Sequence, residues 1–510
     1  MTLHLSATPA IAATVLSLLA SLPLNAEIDP RRLSFHPEPL SLATAPGNEP
    51  STADGDMTDT AQEAAADIAQ ESSTTEATDL EQEPSFAVDE QAPLLTAAID
   101  TVPQTLPLIP ASLVVANAGA ATFARIQQRI AELEQREGQY APALADLHDA
   151  LARLYLAQDE PEAGLAAFEQ ARQIVRINSG LYSAAQVPLL REIIALNLNL
   201  GHLEQATAQQ EALFNLQLRQ YGRHSLDAVP ALLEWADWNV HLYLNPQVQR
   251  NPSISIAANI PGTLGLDYRN PTLQEAYDRY VSALEILHEQ DNPRDARLVE
   301  IEHKLAALNF MANRDLTTAM DRMPLAFNGG LGISEFDRLI ERGSALHFLN
   351  GSAALKRAVA YASAAEPPDY ALMATRLLEL GDWYLLFNRR SSALETYQQA
   401  LDLLEAAAFS PADIERVVAS GMPVHSPDTV YQVQPAQYLG YIDVAFTLDK
   451  YGAASNPRIL GASPEDAGEA VERALLQTIR SSRFRPRFEA NAPVGTDTVQ
   501  LRYFYAQGLQ

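Results

Sequence analysis

Two groups of side chains in this sequence have the type and spacing to bind a ligand. Trp235 and Trp238 lie three residues apart, so a helix would present them on one face, where they could line a groove for a peptide or a sugar. Aromatic residues at this spacing more often belong to a core. Arg483, Arg485 and Arg487 alternate along the chain, which is compatible with an anion or lipid site but more typical of solvated charges on a strand and turn. These five residues are the candidate partner-binding positions.

The sequence predicts no catalytic, cofactor-binding or metal site. It contains no Cys, which excludes disulfides, thiolate metal ligands and cysteine nucleophiles. It also lacks the His-Glu-x-x-His pattern of zinc enzymes, the Gly-x-Ser-x-Gly pattern of hydrolases and a Gly-rich phosphate loop with Lys. Glu300 and His303 share a predicted helix face, but two ligands do not complete a metal site. We therefore expect a protein that binds without catalysing a reaction.

The two tryptophans belong to a part of the chain in which a helical pattern repeats. Gly138-Gln139-Tyr140-Ala141 recurs 42 residues later as Gly180-Leu181-Tyr182-Ser183. Between the two copies, apolar residues follow the helical period on either side of a turn. Small residues such as Gly164 and Ala171 would let paired helices approach closely, while Phe168 would fill the seam between them.

This pattern resembles the tetratricopeptide repeat in a longer spacing variant, with a nearly complete copy at 377–404. The resemblance implies a helical solenoid over 121–410 with three or four well-formed units, of the kind that holds a peptide or helix of another protein. The pattern fails at 245–271 and at 311–370. Within the second interruption, Asn350-Gly351 is predicted to be a turn between short helices.

The C-terminal residues 437–510, which follow a predicted linker at 411–436, have the alternation of a sheet. Apolar residues lie at every second position from Ile442 to Leu448, and Asp449 to Gly452 form a turn, so a β-hairpin is expected. A helix beginning at Pro464 and a last strand at 498–505 complete an α+β module.

The module resembles the C-terminal domain of TonB-type energy transducers in its first strand, its Asp-x-x-Gly turn and its Arg-Phe-Arg-Pro segment at 483–486. The resemblance implies an exposed sheet edge that pairs with a strand of an outer-membrane transporter or other partner. The chain departs from that family in the segment before the first strand, where 431–438 lacks the Tyr-Pro pair. Its N-terminal apolar run also lacks a Ser followed four residues later by His.

The N-terminal part is predicted to direct export. The apolar run 9–24 has the character of a signal peptide, which makes 1–26 a segment that is cleaved after Ala26, or alternatively an uncleaved anchor. Residues 27–120 carry 17 acidic and two basic residues within a chain of net charge -29. A segment of this composition buries too little apolar surface to offset its ordering entropy, so we expect a disordered acidic linker that acts as a tether.

These features predict a mostly α-helical, non-catalytic adaptor of the periplasm, with a disordered N-terminal segment. Its solenoid would bind one envelope protein or peptide and its C-terminal sheet edge another. One alternative is a divergent TonB-type energy transducer for outer-membrane transport, anchored in the inner membrane by residues 9–24. A further alternative is a glycan-binding protein or enzyme of the cell wall. The acidic balance argues against nucleic acid as a partner, and membrane contact is expected only if the N-terminal segment stays uncleaved.

Overall fold

The computed structural model describes residues 33–39, 120–245, 253–260, 263–290, 292, 294–322, 333–364, 367–431, 438–464, 468–489 and 492–507. The predicted signal segment 1–26 lies outside the described residues, as does the predicted linker 27–120 apart from 33–39 and Ala120. Helices fill the middle of the chain and most strands lie near its C-terminus. In chain order the elements up to residue 418 are β1 (Leu33–Pro39), α1 (Ala120–Glu137), α2 (Ala143–Ala157), α3 (Pro161–Ser179), α4 (Val187–Asn199), α5 (Leu203–Tyr221), α6 (Val229–Leu244), β2 (Ser253–Ile260), β3 (Thr263–Arg269), α7 (Pro271–Glu289), α8 (Ala296–Arg322), α9 (Ile333–Ser363), α10 (Tyr370–Leu386), α11 (Arg390–Ala406) and α12 (Pro411–Val418).

The helices from α1 to α11 form a solenoid-like array in which each helix packs against the next. After α1 they group into five pairs, namely α2 with α3, α4 with α5, α6 with α7, α8 with α9, and α10 with α11. The predicted helical solenoid is therefore confirmed, and it holds more pairs than the three or four units expected. The additional pairs escaped the repeat pattern because α8 and α9 are much longer than the other helices, at 27 and 31 residues.

The 42-residue repeat is built on glycines that end helices. Gly138, Gly180 and Gly222 follow α1, α3 and α5, and their φ angles are 88°, 102° and 85°. Residues with a Cβ rarely adopt this region, so glycine is the residue that lets the chain leave each helix in the same direction. The third glycine extends the predicted repeat by one more copy.

The predicted turn at Asn350-Gly351 is wrong, because both residues lie inside α9. A Cβ on Gly351 would lie 2.2 Å from two ring carbons of Trp383, so the glycine lets the indole of α10 lie directly on the backbone of α9. Gly381 has the same role within the last pair, since a Cβ there would lie 2.5 Å from the ring of Tyr397. Glycine marks close helix packing at both positions.

The two predicted interruptions of the repeat have different structures. Within 245–271, the strands β2 and β3 form an antiparallel hairpin between the two helices of a pair. Within 311–370, the chain consists mainly of the end of α8 and of α9, which pack closely on each other. The second interruption is thus a longer helix pair, whereas the prediction was of short helices.

The C-terminal part is an α+β module. Its elements are β4 (Gly440–Leu448), β5 (Ala454–Ser463), α13 (Glu469–Ser481), β6 (Arg487–Glu489), β7 (Ala492–Val494) and β8 (Thr496–Gln507). The predicted hairpin and last strand are confirmed, and α13 begins at Glu469, five residues after the expected Pro464. Apolar residues of β4 and β8 face those of α13 in a core of their own, in which Val444, Leu475 and Phe484 are completely buried.

Two segments predicted as linkers are ordered parts of this structure. The prediction of disorder over 27–120 is wrong for Leu33–Pro39, which pairs with β8 and completes a sheet of order β1-β8-β4-β5. The prediction of a linker at 411–436 is wrong up to Tyr431, because α12 and a 3-10 turn at Pro427–Tyr431 pack on the solenoid. Val418, Val424 and Tyr431 are buried in the solenoid core. These apolar residues follow no helical or strand period, so the sequence did not predict that they are buried.

Replacing Gly351 by Ala tests the close packing of α9 on α10. We expect Gly351→Ala to lower the free energy of unfolding by about 1–3 kcal/mol, because the new methyl group overlaps the Trp383 ring. Gly343→Ala in the same helix is the matched control, since its Cβ would meet only the flexible end of Leu316 at 2.8 Å. Urea unfolding followed by circular dichroism measures both. Equal midpoints for the two variants would contradict the packing.

Candidate interaction surfaces

The two candidate tryptophans lie in the core of the solenoid, so neither lines a groove. The side chain of Trp238 is fully buried, and Trp235 stacks on Phe214 with ring centroids 5.5 Å apart. The indole N–H of Trp235 donates a hydrogen bond to Glu275 Oε1 at 2.9 Å. Their position follows the commoner behaviour of aromatic residues three apart on a helix, which is to pack against neighbouring helices.

The three candidate arginines do not form one cationic surface. Arg487 is exposed and pairs with Glu489 at 3.2 Å, while the backbone carbonyl of Arg483 accepts a hydrogen bond from the N–H of Val424 at 2.7 Å. Arg485 points into the molecule and forms an ion pair with Asp382 of α10. One member of the group thus joins the C-terminal module to the solenoid, and the structure shows no shared anion site among them.

The ion pair between Arg485 and Asp382 is the main polar contact between these two parts. The Arg485 guanidinium donates through Nε to Oδ1 at 2.9 Å and through a terminal nitrogen to Oδ2 at 2.6 Å. The Tyr397 hydroxyl donates to Asp382 Oδ1 at 2.8 Å, and Arg485 also donates to the carbonyl of Val418 at 3.0 Å. Burial opposes the charge of Arg485, but the Asp382 carboxylate outweighs it and raises the pKa of Arg485.

A second polar cluster fixes the 3-10 turn at Pro427–Tyr431 on the solenoid. The hydroxyls of Tyr431 and Tyr280 are 2.8 Å apart, and Tyr280 also donates to Asp237. Lys304 Nζ lies 2.9 Å from Asp237 Oδ1. Burial raises the pKa of both tyrosines well above the ordinary value, so they act as neutral hydrogen-bond donors. With its charges and hydroxyls satisfied by one another, the cluster has the character of a structural contact.

The carboxylates and histidines of the described residues do not assemble into a metal centre. Glu300 pairs with Lys304 at 2.9 Å, whereas His303 pairs with Glu379 at 2.8 Å, so these neighbours on α8 have separate partners. No group of three or more His, Cys, Asp or Glu side chains suited to a metal occurs in the part of the chain that the structure describes. None of the described helices combines the length and apolar character needed to cross a membrane.

The glycine corners of the repeat carry a row of exposed apolar side chains that the sequence pattern did not predict. We call it the corner row. Its side chains are between 40% and 56% exposed, and its members are Tyr140, Ile177, Leu181, Tyr182, Tyr221 and Leu226. The 42-residue recurrence of Tyr140 as Tyr182 was visible in the sequence, but only the structure shows that both face solvent.

Two contacts link successive corners of the row. Asn178 at the end of α3 donates a hydrogen bond to the carbonyl of Tyr140 at 2.8 Å. The guanidinium of Arg219 at the end of α5 lies 4.4 Å from the centre of the Tyr182 ring, a cation–π contact. Exposed apolar residues that follow one another across three repeats are typical of a protein-binding surface, in contrast to scattered single residues.

The edges of the C-terminal sheet differ from the expectation of an open docking edge. On one side β1 covers β8 along seven residue pairs, and on the other side β5 is the edge strand. The pairing of β5 with β4 has two irregularities, and β5 contains Pro457, features that discourage further strand pairing. A strand of another protein would thus have to displace β1 in order to pair with β8.

Comparison with known proteins gives structural similarity only. No family model matches the chain, and no curated protein matches it. The solved structures that it resembles include BtubC (BKLC) from P. vanneervenii, at 14% identity and a TM-score of 0.29 over 57% of this chain and 92% of that one. A putative kinesin light chain of Podosopora anserina with nearly identical TPR-like repeats is 12% identical, with a TM-score of 0.31 over 53% of this chain and 99% of its own. The apo form of RapI is 11% identical, with a TM-score of 0.22 over 56% and 99% of the two chains.

Neutralising Asp382 tests how strongly the module depends on its ion pair. Asp382→Asn keeps the shape of the side chain and leaves the buried Arg485 without a counter-charge, so we expect a loss of about 3 kcal/mol in the free energy of unfolding. Glu489→Gln is the control, because its pair with Arg487 is exposed to solvent, and no measurable change is expected. Urea unfolding at neutral pH measures both. An unchanged midpoint for Asp382→Asn would contradict the importance of this contact.

Proposed function

We propose that the chain is a non-catalytic adaptor of the periplasm that binds one protein through the corner row and another through its C-terminal sheet. The observation that carries the proposal is the exposure of the corner row, which places apolar side chains on three successive repeats with no element of the described residues covering them. Association with a partner removes such side chains from water, and this burial is the main favourable contribution to protein binding. Envelope proteins or peptides are the partners that an exported chain would meet.

The chemistry of the corner row favours a protein partner with apolar and acidic groups. Tyrosine combines a large apolar ring with a hydroxyl that can still form hydrogen bonds, which is why it is common in protein interfaces. Arg219, which lies over the Tyr182 ring, adds a positive charge at the row. A partner helix or loop with two or three apolar residues and a carboxylate would complement this surface.

Periplasmic location is part of the proposal and depends on cleavage after Ala26. The absence of Cys is compatible with an oxidising compartment. The acidic segment was expected to act as a tether, but the pairing of β1 with β8 joins its beginning to the C-terminal module. A cleaved chain would therefore start six residues before the sheet, at Glu27, and the acidic residues would connect two points of one folded protein.

The alternative is a divergent TonB-type energy transducer that stays anchored in the inner membrane. The strand order of β8, β4 and β5 and the helix α13 supply the elements that the resemblance implied. An anchor at 9–24 would leave eight residues, 25–32, before β1, which span about 30 Å at most when extended. Such a short connection would hold the module near the inner membrane. A transducer for outer-membrane transport would need its module to reach the outer membrane, so we favour the adaptor. The cell-wall alternative required a pocket lined by Trp235, whose side chain is buried.

Charged substitutions in the corner row test the adaptor function. We expect Leu181→Asp combined with Tyr182→Asp to reduce the recovery of a bound envelope protein at least tenfold in affinity capture, because two carboxylates replace the apolar contact. Leu346→Asp with Leu349→Asp is the matched control, since these exposed leucines lie on α9, away from the row. Helicity and thermal midpoint should stay unchanged in both. Equal recovery by the two double variants would refute the role of the row.

The N-terminus of the mature protein decides between the adaptor and the anchored transducer. We expect N-terminal sequencing to give Glu27 as the first residue, with the protein in the soluble periplasmic fraction after osmotic shock. A chain that retains residues 9–24 and sediments with inner membranes would instead support the transducer. A variant with Ala26→Leu serves as a control, because it removes the small residue that the cleavage site requires.

A further inference from the structure

The strand β1 comes from the far end of the chain to complete the C-terminal sheet. It pairs antiparallel with β8 from Leu33 opposite Gln507 to Pro39 opposite Leu501. The Ser34 hydroxyl donates a hydrogen bond to the carbonyl of Ala506 at 3.4 Å, a contact between residues 472 positions apart. Such a pairing carries a large loop-closure cost compared with the short β4–β5 hairpin.

One face of β1 fits the apolar core of the module. Leu33 and Phe35 pack against this core, next to buried residues of β8 such as Tyr505 and Tyr503. Helix α13 also contacts β1. These two side chains lie two positions apart, which places both on the same face of the strand. The core would therefore accept any extended segment with apolar residues at this spacing.

The other face of β1 meets aromatic and charged residues. The His36 ring lies edge-on to Tyr438, with centroids 5.4 Å apart, and His36 is opposite Phe504 in the ladder. Glu38 is opposite Arg502, which forms an ion pair with Asp443 at 2.8 Å. An acidic residue at this position of the strand therefore has charge complementarity with β8.

The prolines of β1 suit an occupant that ends a sheet. Pro37 and Pro39 have no N–H to donate. Neighbouring residues of a strand point their N–H groups to opposite sides, so β1 pairs with β8 through the residues that alternate with the prolines, such as Glu38. The positions without a donor therefore lie on the outer side of β1. The outer side of β1 is thus poor in donors for a further strand. β1 thus covers the edge of β8, which can accept a further strand, and its own outer edge is poorly suited to accept one.

The connection of β1 to the rest of the chain is long. Residues 40–119, a stretch of 80 residues, separate it from α1. A connection of 80 residues cannot raise the local concentration of the strand above the millimolar range. A segment of another protein that binds the same edge with micromolar affinity would therefore compete with β1, because the local concentration of β1 is not high enough to prevent this.

We propose that the β8 edge is a binding site for an extended peptide and that Leu33–Pro39 is its built-in, displaceable occupant. The peptide that fits has apolar side chains at the positions of Leu33 and Phe35 and an acidic one at the position of Glu38. The inference rests on the part of the proposed function that gives the C-terminal sheet a partner. In this proposal the partner competes with β1, so the edge of β8 stays occupied until a strand that binds it more tightly displaces β1.

Releasing β1 should open the site to the same sequence supplied as a separate peptide. The probe is a fluorescein-labelled peptide of residues 33–39, Leu-Ser-Phe-His-Pro-Glu-Pro. We expect the variant Phe35→Asp, which places a carboxylate against the module core, to bind the probe at least tenfold more tightly than the unaltered protein. Pro39→Asp adds the same charge at the exposed end of the strand and should bind the probe like the unaltered protein. Fluorescence anisotropy measures the three affinities.

Two results of this experiment would overturn the proposal. One is a folded Phe35→Asp variant, with unchanged helicity, that binds the probe no better than Pro39→Asp. The other is an unaltered protein of twice the expected mass that exchanges labelled copies and does not respond to the probe, since a second copy would then be the occupant. The corner-row double variant should bind the probe like the unaltered protein, so a failure of the row and a failure of this site remain distinguishable.

A reversible lock tests displacement even if Phe35→Asp does not fold. The chain has no Cys, so Leu33→Cys with Gln507→Cys introduces one disulfide across a paired position of the ladder. We expect probe binding, measured at probe concentrations up to the millimolar range, to be lost in the oxidised protein and to return after reduction. Equal binding before and after reduction would show that the probe binds elsewhere and would overturn the proposal.

Discussion

The contact between Asp382 and Arg485 is the constraint on which the arrangement of the C-terminal half depends. Both side chains are largely buried, and a buried charge without a partner costs several kcal/mol. Asp382 lies next to Gly381, where the Tyr397 ring needs a residue without a Cβ, so the carboxylate is held at the seam of α10 and α11. Because this buried carboxylate needs a counter-charge, the C-terminal module is held where Arg485 reaches the seam.

The segment between the solenoid and the module follows from the same constraint. Arg485 donates to the carbonyl of Val418 at the end of α12, and the backbone of Gly421 and Met422 pairs with that of Arg485. The chain then reaches the Tyr280 and Lys304 cluster through Tyr431. A flexible linker in this position would lose the bonds that the Val418 carbonyl and the Tyr431 hydroxyl form, so the segment is fixed by polar groups at both of its ends.

The sequence was informative where periodicity carries the structure and uninformative where contacts are remote. The 42-residue recurrence located helix pairs because each copy repeats the same local packing, and alternation located β4 because one face of that strand is buried. The pairing of Leu33–Pro39 left no such signal, since seven residues in an acidic segment give no indication of a partner 472 positions away. The predicted turn at Gly351 is wrong because a glycine that packs against a ring, here that of Trp383, and a glycine that forms a turn look alike in a sequence.

The candidate partner-binding residues show that residue type is visible in a sequence, whereas the environment of the side chain is not. The spacing of the tryptophans was compatible with a peptide or sugar groove and that of the arginines with an anion or lipid site. Trp238 and Arg485 instead lie inside the protein, where the indole fills a helix seam and the guanidinium joins two parts of the chain. Exposure is decided by which face of each helix its neighbours cover, and the sequence does not state this. The corner row escapes burial because its residues lie beside helix-ending glycines, either just after them or in the last turn before them. Residues at these three corners are therefore available to a partner, whereas residues on the helix faces are buried by the stacking that forms the solenoid.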